Sequence, residues 1–115
     1  MNSKTALCMS LLKGDVINIR SCFLDIGLSN APREISRMVE QPFGVVVSRT
    51  HMVGKSRYGV PVSYTNYRLN RSPHNLEGIE KIKNYIKEQF AKEPPPKTGI
   101  EQVKYRQQKL FINSI

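Results

Sequence analysis

The spacing of the apolar residues changes once within the first seventy positions, and that change limits the folds open to the chain. Up to about residue 42, apolar side chains recur at helical spacing in three short stretches, each followed by a stop signal. The pattern then turns strand-like. "FGVVVSRT" and "VPVSYTNYRL" are dominated by Val, Tyr and Thr, residues that suit a pleated, half-buried surface. Between them "HMVGKSRYG" is polar, basic and bounded by Gly54 and Gly59, which predicts a hairpin with a positively charged tip over 52–60. Pro61 has no N–H to donate, so the second strand is expected to have a free edge near its start.

The helical stretches carry their own punctuation. "SKTALCMSLLK" (3–13) predicts a first helix with Ser3 as cap, Leu7, Leu11 and Leu12 as buried stripe, and Gly14 as stop. "DVINI" follows as a short extended piece. Asn18 is placed to cap "IRSCFLDI", whose expected stripe is Ile19, Cys22, Phe23 and Ile26, with Gly27 as the turn residue that ends it. Asn30 or Ser29 caps a third helix, where Pro32 is tolerated because the first helical N–H groups have no intrahelical partner; Pro42 marks its end. The resulting order is helix, short strand, helix, turn, helix, hairpin. It implies an α+β chain, a winged helix-turn-helix with a three-helix core and a β-hairpin wing.

Further along, "NLEGIEKIKNYIKEQFA" (75–91) predicts an additional C-terminal amphipathic helix. Leu76, Ile79, Ile82, Ile86 and Phe90 share one face, Tyr85 lies beside it and Asn75 caps it. "PPP" at 94–96 reads as a stiff spacer. Thr98 and Glu101 have capping-box spacing, and Ile100, Val103, Leu110 and Phe111 give a weak apolar stripe. The expected organisation is therefore a winged helix-turn-helix domain over 1–72, a helix over 73–93 that packs on it or dimerises, and a spacer with a basic tail helix or disordered arm over 94–115.

Charge points to the partner. Lys and Arg number 18 against 9 acids, a net charge of +9, and no carboxylate occurs between Glu40 and Glu77. That acid-free span holds Arg49, Lys55, Arg57, Arg68 and Arg71. Native surfaces usually intersperse both signs, so a single-sign stretch implies a polyanion partner.

The leucine-rich first helix, "DIGLSNAPREISRMVE", the strand start "FGVVVSRT", the basic wing and the closing "YRL" (67–69) together resemble small winged helix-turn-helix proteins of tailed phages and bacterial mobile elements. The resemblance covers roughly residues 4–70 and implies a DNA-binding module whose third helix enters the major groove. On that resemblance Asn30, Arg33, Ser36 and Arg37 form the recognition face, and Lys55 and Arg57 are wing residues near phosphates.

The residue types suit that chemistry. At about 100° per residue, Asn30, Arg33, Ser36, Arg37 and Glu40 fall opposite Ile35, Met38 and Val39. Arg donates two parallel hydrogen bonds to guanine, Asn pairs similarly with adenine, and each such pair discriminates bases by about 1–3 kcal/mol. Residues 30–37 span about 10 Å at ~1.5 Å rise per residue, roughly the length of three base pairs. Arg49, Lys55, Arg57 and Arg68 would supply phosphate contacts, which position without reading sequence. Tyr58, at the wing edge, is the better aromatic candidate for a nucleic-acid contact, whereas Tyr67 alternates with Arg68 as a core residue would. Glu40 is the discordant member: pointed outward it repels phosphate, and paired with Arg37 or Arg33 it weakens the recognition face.

Other functions find little support. His51 and His74 are the only histidines, and neither has metal-ligand spacing with Cys, Asp or Glu. No His-x-x-Arg and no phosphate-binding glycine loop occurs. No catalytic residue, metal or cofactor is therefore expected, and the chain is read as a non-enzyme. Cys8 and Cys22 are read as small buried hydrophobes. No apolar run approaches the ~20 residues that span a bilayer. The expectation is a cytoplasmic protein, in the bacterial host if phage-encoded, that binds double-stranded DNA as a transcriptional regulator. The competing reading is a winged-helix interaction or assembly adaptor without sequence-specific DNA binding. A homodimer through 75–115 and a protein partner for the C-terminal tail both remain open.

Overall fold

Asn2, not Ser3, starts the first helix. In the computed structural model, which describes residues 2–93 and 99–115, the Asn2 carboxamide oxygen accepts the Thr5 N–H at 2.8 Å and opens α1 (Ser3–Leu12). Leu7, Cys8, Met9, Leu11 and Leu12 are all buried, which makes α1 the centre of the core. Beyond Gly14, Ile17 makes a single antiparallel bridge with Tyr67, each donating its N–H to the other's carbonyl.

The second helix, α2 (residues 19–26), begins as expected at Asn18, which exchanges hydrogen bonds with Ser21 in a capping box. It runs as Ile19–Ser21 and then as wider π-helical turns over Cys22–Ile26, ending at Gly27 with φ 86°. The expected stripe is only half right. Cys22 is buried and Ile26 half-buried, but Ile19 and Phe23 stay 51% and 59% exposed. Two turns of helix present an inward face one residue wide, and positions 19 and 23 are rotated off it.

The third helix, α3 (residues 31–43), starts at Asn30 and contains Ala31–Ile35, a π-helical segment Ser36–Glu40 and a last turn Gln41–Phe43. Pro42 does not end it. Proline has no N–H to bond the fourth residue back, and the widened turn before it, in which Gln41 N–H reaches the Ser36 carbonyl, absorbs that loss. Gly44, with φ 64°, is the actual stop, its N–H bonding the Glu40 carbonyl at 2.9 Å. Ala31, Ile35, Val39 and Phe43 are buried, so Phe43 belongs to the helix and not to the strand.

Strands β1 (Val47–Lys55) and β2 (Pro61–Leu69) pair antiparallel, with Val47 opposite Leu69 and Lys55 opposite Pro61. They reach further than predicted. His51–Lys55 lies within β1, which shortens the hairpin tip from 52–60 to 56–60. The base is anchored by buried Val47, Tyr67 and Leu69, while no residue between 48 and 66 is buried. In β1 that outer half has no apolar alternation to reveal it in the sequence.

A 3-10 turn, Pro73–Asn75, leads into α4 (Leu76–Lys92). Ile79, Ile82 and Ile86 are buried in the same core cluster as α1, with Phe90 and Tyr85 packed against it. Leu76 departs from the expected stripe and is exposed. Asn75 also departs from its expected role. Its side chain makes no helix cap but is buried and cross-links the chain, accepting from Val46 N–H and donating to the Val46 and Asn70 carbonyls.

The tail forms a docked helix, α5 (Gly99–Ser114). Its anchors are Ile112, Phe111 and Ile115, together with Tyr105, whose ring stacks on Phe90 at 4.8 Å. The expected stripe residues Ile100, Val103 and Leu110 are exposed. The predicted spacer at 94–96 and Thr98 lie outside the described residues. Among the described residues, no helix is long and apolar enough to cross a membrane.

Candidate nucleic-acid interface

Arg33 and Arg37 sit one turn apart on the exposed side of α3, opposite buried Ile35 and Val39. None of the ion pairs among the described residues involves either of them. The other members of the predicted face are engaged within the protein. The Asn30 carboxamide oxygen accepts the Arg33 N–H at 3.3 Å as helix cap, which orients the side chain and occupies one of that oxygen's two lone pairs. Ser36 is half-buried, and its hydroxyl accepts from the Gln41 amide at 3.3 Å. Arg33 and Arg37 are the two cations of this face.

Glu40 resolves differently from either outcome expected of it. It pairs with neither Arg37 nor Arg33 but turns toward β1. Arg49 Nη2 lies 2.6 Å from Glu40 Oε1, Arg49 Nη1 lies 3.2 Å from Oε2, and the Val47 N–H donates to Oε2 at 3.1 Å. The Arg49 hydrogen bond holds the Glu40 carboxyl below the usual carboxylate range, partial burial opposes it, and the Val47 N–H adds to the lowering. The Arg49 guanidinium also caps the Tyr67 ring, 5.4 Å from its centroid, and donates to the Val47 carbonyl at 2.8 Å. Glu40 therefore pairs away from Arg33 and Arg37, and Arg49 becomes a strut between helix and hairpin instead of an unpaired cation.

The hairpin cations fall into separate places. Lys55 ends β1, and Arg57 with Tyr58 forms the tip, where Tyr58 is 88% exposed. The tip is closed by Ser56 N–H to the Val60 carbonyl at 2.8 Å and by Gly59, with φ 77°. Lys55 and Arg57 share a groove of about 610 Å³ with Arg20 from the start of α2. Arg20 was missed from sequence because only the fold brings the first turn of α2 beside the hairpin. Arg68 pairs across from Ser48, and strand alternation puts both on the sheet face opposite Tyr67 and Arg49. There it lines a polar hollow with Val16, Ser48, Thr50 and Asn66. Arg71, from the same acid-free span, is committed to structure: its guanidinium donates to the Leu12 carbonyl at the C-terminal end of α1.

Cys8 and Cys22 are buried free thiols. Among the described residues no three of His, Cys, Asp or Glu approach one another closely enough to hold a metal ion. No protein-family model, no curated protein and no solved structure matches the chain.

Proposed function

We propose that the chain is a winged helix-turn-helix protein that binds double-stranded DNA with sequence preference, of the kind that regulates transcription in phages and mobile elements. The topology supports the fold reading. A glycine-terminated turn joins α2 to α3, the hairpin follows α3, and Ile17 makes a single bridge to the outer edge of β2. One observation carries the DNA reading: Arg33 and Arg37 project from the exposed side of α3 with no ion pair among the described residues, and Glu40 is drawn away from them by Arg49. In this reading the two arginines address base edges in the major groove. Lys55 and Arg57 of the wing address phosphates, with Arg20 as an additional backbone contact.

Duplex binding measured across a salt series tests it. Counterion release predicts a steep loss of affinity with rising salt. Lys55→Ala or Arg57→Ala should weaken all duplexes alike and reduce the logarithmic salt slope by about one. Absence of duplex binding even at low ionic strength would contradict the proposal.

A further inference from the structure

Toward its start, the outer edge of β2 has no main-chain partner before Tyr67 among the described residues. Both main-chain groups of Tyr67 bond to Ile17, so the facing pair Tyr67–Arg49 exchanges no hydrogen bonds across the hairpin. Strand alternation then makes Thr65, Ser63 and Pro61 non-bonded pairs toward β1 as well, with their main-chain groups turned to the same outer edge as those of Tyr67. The chain does not follow them there. After Ile17 it turns at Asn18 into α2, and no main-chain partner is present for the outward N–H and C=O of Ser63 and Thr65 among the described residues. Pro61, with no N–H, blunts the edge at its far end.

This edge opens into the groove between α2 and the hairpin. Ile19, Val62 and Tyr64 give it exposed apolar walls, while Arg20, Lys55 and Arg57 supply its charge. Phe23, one turn along α2 from Ile19, is also exposed. None of the ion pairs among the described residues uses those three cations. Exposed apolar surface set among like charges marks an interaction site.

We propose that this groove receives an extended peptide segment of a partner protein, alternating acidic and apolar residues, which pairs as an added strand with β2 at Ser63 and Thr65. Three features select that occupant. An open strand edge alternates donors and acceptors, and another peptide backbone matches both, whereas phosphate oxygens only accept. The apolar walls suit side chains that a sugar-phosphate backbone lacks. The cations match carboxylates, and pairing two copies of this edge would instead bring six like charges together. The inference does not depend on DNA binding. If both hold, the peptide and phosphate compete for Lys55 and Arg57.

The test selects a random twelve-residue peptide library against the full chain, then measures affinity for the enriched peptides as labelled synthetic molecules. Enrichment of alternating acidic and apolar sequences is expected. Ser63→Pro removes an N–H that the hairpin does not use and should weaken binding at least about tenfold with the far-ultraviolet spectrum unchanged. Methylating the peptide's alternate backbone amides probes the same bonds without altering the protein: one alternate set should lose about tenfold and the other little. The proposal is overturned by failure to enrich acidic sequences, or by binding indifferent to both changes. It is equally overturned if an oligonucleotide, and not a peptide, depends on the Ser63 N–H.

Discussion

Glu40 and Arg49 meet through both carboxylate oxygens, and the contact ties the final turns of α3 to the base of the hairpin. Two of the elements proposed to touch DNA are thereby tied together, and Glu40 is kept from pairing with Arg33 or Arg37. The pair has a pH signature. Arg49 holds the Glu40 carboxyl below its ordinary value, so the stabilisation is present above the unfolded pKa of about 4.3 and is lost as pH falls through the lower folded value. Arg49 is 42% exposed, which screens the pair, so Glu40→Gln should cost only about 1 kcal/mol near neutral pH. Denaturant titrations of both proteins should show that difference shrinking toward zero below about pH 4. A pH-independent difference would mean the charge is irrelevant.

Gly78 should resist the substitution that usually strengthens a helix. Within a helix, alanine is normally favoured over glycine by about 1 kcal/mol. Here a Cβ would lie 2.2 Å from a Val45 methyl and 2.7 Å from the Phe43 carbonyl oxygen, and backbone cannot step aside cheaply. Gly78→Ala is expected to destabilise by about 1–3 kcal/mol, as overpacking does. A raised melting temperature would contradict the close approach of α4 to the 43–45 segment.

Asn75→Ala should be among the most damaging single changes. It would strip partners from the Val46 N–H and from the Val46 and Asn70 carbonyls around a side chain that is 1% exposed. A loss of about 2–3 kcal/mol follows from leaving such groups unpaired, with a fall in Tm on the order of 10 °C by thermal melting. A change of about 1 kcal/mol or less, typical of an ordinary helix cap residue, would refute the cross-link.

Cys8 should be inert while the protein is folded. Burial pushes its thiol up to about 12, against a smaller opposing effect of the Lys4 charge. Burial likewise raises Cys22. Because the thiolate is the reactive form, alkylation at about pH 8 should be at least roughly a hundredfold slower than in denaturant. Prompt labelling of the native protein would show that the core opens readily.

The parts of this fold legible in the sequence are those set by neighbours in the chain. Asn18, Gly27 and Asn30 act within one helical turn, and their caps and stops stand where the residue types place them. Positions whose role is set by distant segments were not legible. Ile19 and Phe23 repeat at helical spacing, yet nothing local shows that α2 is too short to bury both. Asn75 has the form of a cap, but its partners come from residues 46 and 70. Glu40 belongs to the arginine face on an ideal helical wheel. The widened turns of α3 and an arginine nine residues later send it elsewhere. The candidate site follows the same division: the exposure of Arg33 and Arg37 was readable from periodicity, whereas the joining of Arg20 to Lys55 and Arg57 required the fold.

The central claim is that the arginine pair on α3 reads bases, and selection of binding sites from a randomised duplex pool tests it most directly. The wild-type chain should enrich a short motif containing guanine, and Arg33→Ala or Arg37→Ala should relax that motif by about 1–3 kcal/mol per lost contact while phosphate-driven binding persists. No enriched motif, or the same motif recovered with both arginines replaced, would contradict the account.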